Sequence, residues 1–435
     1  MALNPHRSQT DHSAPSAPSF TAHRDLRLRW FYIVPAVFVT YSLAYVDRAN
    51  YGFGAAAGLA DTLHITSSQS ALLGSLFFLG YFLFQIPGAA YARKRSARGL
   101  IFLSLVTWGI LASLTGVIHQ FWMLALDRLL LGAAESFIFP GMLILLTRWF
   151  TRKERSRANA FLILGNPVTV MWMSAVTGYI IKAVGWQMTF IIEGLPSVLW
   201  GAVWYFVIRD RPEEAPWLSE ESATALNEAL ALEQSAIPQV PNIAAALRNP
   251  NVLLLCAQYF LWSVGVYGFV LWLPVIVSKG FSQGIATTGL VSAIPYAFAV
   301  LAMVIVSWLS DRASERIHFV WPFLVLAGAA FFGSYLSTGY SFWISFVFLT
   351  IAGAAMYAPY GPFFAFLPEM LPANVSGEVT ALVNSMGALG SFLGSWIVGF
   401  LQGYTGSSKA GFLVMSAAVT LAGASMLLLK RPSRR

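Results

Sequence analysis

Charge is scarce in this chain. Asp, Glu, Lys and Arg make up 11% of its 435 residues, while 57% are hydrophobic; soluble domains carry roughly 25% charged residues. Composition therefore assigns an integral membrane protein. Cysteine is nearly absent. The one thiol, Cys256, lies in an apolar segment and excludes both an internal disulfide and a cysteine metal site. No apolar core with a small-residue cleavage site precedes Trp30, so no cleavable signal peptide is expected and the first apolar segment serves as its own insertion signal. No histidine pair, Ser/His/Asp set or phosphate-cradling glycine loop falls where it could work. That argues against an enzyme, and neither a cofactor nor a metal is expected.

What the chain has in quantity is apolar segments long enough to span a bilayer, which takes about 20 residues each. They recur at 30–51, 69–92, 99–118, 121–149, 159–184, 187–208, 251–277, 285–309, 319–337, 342–366, 378–403 and 411–429, twelve in all. The net charge of +8 would suit a nucleic-acid partner, but the placement of the basic residues argues otherwise. Of the 27 Lys and Arg, 22 fall in segments that twelve crossings put on one side; Lys182, Lys279 and Lys409 lie opposite, and Arg48 and Arg128 lie within the membrane. This bias predicts both termini in the cytoplasm, with the bilayer as partner and no nucleic acid.

The apolar signal vanishes at 209–250, where acids cluster and Ser219 is placed to cap a short cytoplasmic helix. The expected fold class is thus an all-α membrane protein with twelve transmembrane helices in two six-helix bundles. Its parts are a disordered cytoplasmic N-terminus at 1–29, a bundle at 30–208, a linker at 209–250, a second bundle at 251–429 and a tail at 430–435. Two such halves joined by a long loop are the layout of a transporter with parallel halves and a midplane site.

Charged residues inside the spans mark where chemistry belongs. In Tyr45-Val-Asp47-Arg48-Ala-Asn50 an acid and a base sit at bilayer depth, where each costs roughly 2.5–3.5 kcal/mol unless it faces a protein interior or a watery cavity. On a helix Asp47 shares a face with Asn50, whereas Arg48 points about 100° away, with Tyr45 and Tyr41. The fourth span carries Arg128 and Glu135, two turns apart on one face, with Gly132, Ala133 and Ala134 between them allowing close helix approach. Asp127 reads as packing and Glu193, beside Gly194 and Pro196, as structural. The second half holds no acid or base well inside its spans and offers Gln258, Tyr267, Trp272, Tyr357, Tyr360 and Asn384 instead. Charge recognition is expected in the first half, neutral hydrogen bonding and aromatic contact in the second. Prolines 35, 140, 274, 359 and 362 recur in spans one, four, seven and ten, and Gly387, Gly390 and Gly394 form a close-packing face in the eleventh.

Four stretches together carry a family resemblance: Tyr-Val-Asp-Arg-Ala-Asn at 45–50, Leu-Gly-Ala-Ala-Glu-Ser-Phe-Ile-Phe-Pro-Gly at 131–141, Tyr-Gly-Pro-Phe-Phe at 360–364 and Leu-Val-Asn-Ser-Met-Gly at 382–387. The chain resembles the anion:cation symporters of the major facilitator superfamily from about 30 to 430. Leu164-Gly-Asn166-Pro167 and Ile192-Glu193-Gly-Leu-Pro196 are most similar to bacterial sugar-acid carriers of the L-galactonate and D-galactonate type. The resemblance implies a monomeric, multi-pass transporter of the bacterial cytoplasmic membrane that imports a small organic anion with a proton, an aldonate or related sugar acid, by alternating access. A carrier of aromatic carboxylates and a non-transporting membrane sensor are the alternatives.

Residue by residue, the resemblance implies that Asp47 and Glu135 bind protons, Arg48 holds the substrate carboxylate and Arg128 is the charge partner of Glu135. Tyr45, Tyr81, Asn166 and Asn384 match pocket positions, and Tyr267 and Tyr360 join them as substrate-binding candidates. Asn166 stands where the D-galactonate type has Gln, and Gly361 and Phe364 replace its Ser and Trp. The superfamily's Gly-xxx-Asp-Arg loop survives as Ser307-Trp-Leu-Ser-Asp311-Arg312, while its first-half counterpart, Ala89-Ala-Tyr-Ala-Arg93-Lys94, lacks the Asp.

Overall fold

The structure, a computed structural model, describes residues 20–235, 249–281, 283–313, 316–370 and 376–429. Expectations for 1–19, for 236–248 of the linker and for the tail at 430–435 lie outside the described residues. Among these, eleven helical segments are long and apolar enough to cross a membrane, and one of them, within Arg152–Val207, accounts for two crossings. Gly185 there adopts φ 83° and ψ 165°, a backbone conformation open to glycine. The Thr177 hydroxyl on one side of it donates to Glu193 Oε1 on the other at 2.6 Å; a straight helix would hold those residues about 24 Å apart. The chain therefore doubles back at Gly185, giving the twelve crossings that the sequence implies.

The crossings are α1 (Phe20–Ala56), α2 (Ser67–Lys94), α3 (Ala97–Thr115), α4 (Phe121–Trp149), α5 (152–184), α6 (186–207), α7 (Pro250–Gly280), α8 (Ile285–Ala313), α9 (Ile317–Ser337), α10 (Phe342–Leu367), α11 (Ser376–Thr405) and α12 (Lys409–Leu428). The first helix begins at Phe20, ten residues before the apolar run at 30. Apolar length sets what lipid covers, not where a helix starts. The extension is tied down by Arg29, whose Nη1 donates to the Trp149 carbonyl at 2.8 Å and whose Nη2 pairs with Glu154 at 2.5 Å.

Two helices are broken near mid-depth. Helix α4 is interrupted between Glu135 and Ile138, and α10 between Tyr357 and Tyr360. Pro140 and Pro362 lack the N–H that the carbonyls of Ser136 and Ala358 would accept, which permits both breaks. In α4 the freed carbonyls of Ala133 and Ala134 accept instead from Ser136 Oγ at 2.7 Å and Ser104 Oγ at 2.6 Å. Helices α1 and α7 run continuously through Pro35 and Pro274.

Small residues set the closest approaches. A side chain at Gly132 would meet the Phe77 carbonyl, locking α4 against α2; one at Gly390 or Gly394 would meet α7 backbone at Phe260 and Val264, as expected for the eleventh span. The halves meet through α1 with α7, α2 with α11 and α5 with α8. The last two pairings are equivalent under exchange of the halves, as parallel repeats require. At the end remote from the linker the contact is tight. A Cβ at Gly52 would lie 2.5 Å from the Leu271 carbonyl oxygen, one at Gly178 2.8 Å from that of Ile285, and one at Gly399 would meet Trp272 and Ala71.

The linker carries a helix over Glu220–Ser235, with Ser219 Oγ accepting from the Ser222 N–H at its start. Its first part docks on the amino-terminal bundle. Trp217 stacks on both Tyr32 and Trp149, with ring centroids 4.7 and 5.2 Å away. Just upstream, Asp210 accepts from the free N–H groups of Ala97 and Arg98 at 2.9 and 3.1 Å and from Ser96 Oγ, and pairs with Arg148 at 3.0 Å. It caps α3 across more than a hundred residues of chain.

Candidate functional site

A central cavity lies between the halves. All seven residues expected to bind substrate line it. Tyr45, Arg48, Tyr81 and Asn166 come from the first half, and Tyr267, Tyr360 and Asn384 from the second. Its wall mixes aromatic rings with hydroxyl, amide and guanidinium groups in about equal measure, which suits a ligand that is itself polar. Arg48 is the one charged side chain among the described residues of its wall.

Arg48 reaches the cavity from a helix face it shares with Tyr41 and Tyr45, whose hydroxyls lie 3.3 Å apart; Tyr45 in turn lies 3.5 Å from the Tyr267 hydroxyl across the interface. Its guanidinium sits over the rings of Tyr45 and Tyr81, 4.6 and 4.8 Å from their centroids. Behind it, Nε donates to Glu135 Oε1 at 2.7 Å and Nη2 lies 2.6 Å from the same oxygen. Glu135 is fully buried and does not line the cavity. It stands at the break in α4, so it touches the cavity only through Arg48.

This corrects the expected pairing. The partner of Glu135 is Arg48, not Arg128. The seven-residue spacing of Arg128 and Glu135 leaves about 10 Å of rise between them, whereas packing of α1 on α4 brings Arg48 into direct contact. Arg128 instead lies over the rings of Tyr51 and Phe77, 5.0 and 5.6 Å from their centroids. Phe77 is also approached by Arg48 at 5.7 Å, so one ring serves both cations. Asp47 is 1% exposed and absent from the cavity wall, and neither of its carboxylate oxygens makes a hydrogen bond of ordinary length and angle among the described residues. The four charges singled out in the sequence therefore do not share one chamber: Arg48 faces it, and Asp47, Glu135 and Arg128 lie behind.

Other residues fall as follows. Asp127 accepts from Thr115 Oγ1 at 2.8 Å, a packing contact. Gln258, Trp272 and Tyr357 are buried outside the cavity, and Trp272 Nε1 donates to the Ser395 carbonyl at 2.8 Å. Sequence reasoning missed Phe78, Phe139, Tyr259 and Ser263, which also line the cavity, as does Phe364. Tyr259 stacks on Phe363 with centroids 5.4 Å apart, and Phe139 meets Phe364 at 6.2 Å across the interface. In a chain with 15% aromatic residues nothing in the sequence distinguishes these rings from lipid-facing ones.

Two parallel six-helix halves around a midplane cavity, with an ion pair at its edge, define a membrane transporter rather than an enzyme. Residues 37–395 match the Major Facilitator Superfamily, and the chain belongs to that family. It is 31% identical over 417 residues to a protein of Agrobacterium vitis described as "Putative tartrate transporter", covering 94% of this chain and 92% of that protein. A second protein so described in the same organism is 32% identical over 412 residues, covering 92% and 94%. Among solved structures, a bacterial homologue of the human lysosomal transporter Spinster, in an inward-facing and occupied conformation, superposes with a TM-score of 0.71 at 18% identity, covering 92% of this chain and 96% of that one. That likeness bears on the fold alone.

Proposed function

We propose that the protein is a proton-coupled symporter that imports a small organic anion, a sugar acid such as an aldonate or a hydroxylated dicarboxylate such as tartrate, across a bacterial inner membrane. The observation that carries this reading is Arg48, the cation of the cavity wall, engaged from behind by buried Glu135. A substrate carboxylate and the Glu135 carboxylate compete for one guanidinium. Protonating Glu135 removes one competitor and frees Arg48 for the anion, so proton and anion each favour binding of the other, and the coupling is reciprocal. Asp47 carries a second proton, which makes uptake of a monoanion electrogenic. The hydroxyls of Tyr45 and Tyr267 and the amides of Asn166 and Asn384 supply neutral hydrogen bonds to a polyhydroxylated substrate. The two relatives whose names point to tartrate support an anion of this size and polarity. Both termini lie in the cytoplasm, and the protein works as a monomer.

The cavity's aromatic wall, including Phe78, Phe139, Tyr259 and Phe364, favours a second reading in which the carboxylate is attached to an aromatic ring. Thermal-shift screening of the purified protein against aldonates, aldarates, uronates and aromatic acids separates the two, because only a bound ligand stabilises the folded state. Proteoliposome uptake of the best ligand then tests coupling. Accumulation with neither a pH gradient nor a membrane potential, or uphill uptake by Glu135→Gln, overturns the symport reading.

A further inference from the structure

Behind the ion pair lies a second buried polar group to which that mechanism gives only a partial role. Asp47, Asn50 and Glu193 are 1%, 2% and 5% exposed and do not line the central cavity. Both oxygens of Asp47 and Glu193 Oε2 make no hydrogen bond of ordinary length and angle among the described residues, although the Trp108 indole lies near Asp47 and the Asn50 amide near Glu193. From α1, Glu193 is faced by Asn50, and by Asp47 at a distance where their charges interact. From α5 it is faced by Thr177, whose hydroxyl donates to Oε1 at 2.6 Å. From α3, Ser113 packs on the adjacent Gly194, and Trp108 faces Asp47.

Counting charge in the middle of this bundle sharpens the point. Asp47, Asp127, Glu135 and Glu193 are buried there with two guanidiniums, Arg48 and Arg128. Arg48 is engaged by Glu135, and Arg128 faces Asp127 and Asp47. Glu193 is left with a hydroxyl and an amide. A buried carboxylate without a compensating charge costs several kcal/mol, and a proton is the usual way such a group is neutralised.

We propose that Glu193 is a third proton-carrying acid of the transport cycle, passing its proton to Asp47 beside Asn50. The step balances. The O–H bond of protonated Glu193 breaks as an O–H bond forms on ionised Asp47, and the negative charge moves from Asp47 to Glu193, which is reprotonated from bulk water. Asn50 lies beside Glu193 and one turn from Asp47 on α1, so its amide can orient the two carboxyls while the proton itself crosses between them, the amide remaining unchanged. The sequence reads Glu193 as structural, in keeping with its Thr177 hydrogen bond, and the proposal adds a proton-carrying role. The proposal rests on the proton-coupled reading above, but its first test needs no substrate.

The experiment is a pH titration of the lipid-reconstituted, full-length protein followed by infrared absorption of protonated carboxyl groups. A titrating carboxyl band is expected that disappears in Glu193→Gln, returns in Glu193→Asp and titrates at a different pH in Asp47→Asn. Thr177→Val, which keeps the acid and removes its hydroxyl donor, is expected to retain the band with a changed titration midpoint, and it serves if the Gln variant does not fold. Identical titrations in native protein and Glu193→Gln overturn the proposal. With L-tartrate as transported probe, the protons carried per anion fall in Glu193→Gln; an unchanged ratio also overturns it. Failure of the native protein to move any organic anion would instead sink the symport reading while leaving the infrared result standing.

Discussion

Arg48 and Glu135, 87 residues apart in the chain, share one carboxylate oxygen through two guanidinium nitrogens at 2.7 and 2.6 Å. The same guanidinium lies over Tyr45 and Tyr81. A lysine provides one point charge and no planar face, so it cannot do both. Arg48→Lys is expected to fold and to lose uptake. Arg48→Ala leaves Glu135 buried without its partner, at about 3–5 kcal/mol, and is expected to unfold at a markedly lower temperature; adding Glu135→Gln restores much of the thermal stability and none of the uptake. Thermal unfolding read beside labelled-anion uptake checks all three.

The close contact of the halves at the end remote from the linker depends on the missing side chain at Gly52. Gly52→Val drives a side chain into the Leu271 carbonyl, so it opposes closure at that end and favours conformations open there. Spin labels on α1 and α7 at that end, in a Cys256→Ser background, are expected to read longer distances in the variant; an unchanged distance distribution contradicts this.

Asp210 caps α3 and binds Arg148 at once. Loss of such a cap costs roughly 0.5–2 kcal/mol. Asp210→Ala is expected to lower the unfolding temperature, and Asp210→Asn, which keeps an acceptor for the Ala97 and Arg98 N–H groups, to lower it less. Calorimetry of the two variants decides the order.

On the proposed symport reading, neutral residues of the cavity are expected to tune affinity rather than coupling. Asn384→Leu or Asn166→Leu strands a substrate hydroxyl without its partner, worth about 1–3 kcal/mol. KM is expected to rise about tenfold, with the proton-to-anion ratio unchanged. A changed ratio would place these amides in the proton path.

The fold was legible because lipid imposes a coarse rule: each crossing needs its own apolar run, and basic residues order the runs. The reversal at Gly185 was legible too, since the apolar runs stop on either side of it. The cavity was legible at Arg48 and Asn384, where polarity is anomalous for bilayer depth, and at Tyr81 and Asn166 through the family resemblance, although equally anomalous Asp47, Glu135 and Gln258 proved to lie outside it. Two things were not. The partner of Glu135 is a neighbour across helices, and spacing along one helix gives no guide to it. Nor do aromatic rings declare which way they face, so Tyr259 and Phe139 looked like any other apolar residues. The breaks in α4 and α10 fall close to the prolines that mark them, while Pro35 and Pro274 sit in continuous helices; proline permits a break, and the surrounding hydroxyls and packing determine whether one forms.

Trp217 is wedged against Tyr32 and Trp149, and Asp210 is pinned to α3 and α4. The chain up to the start of the linker helix is thus cargo of the first bundle. When one half rocks against the other, this stretch travels with α1, α3 and α4 as one body, so a label placed on it would report the motion of that bundle alone.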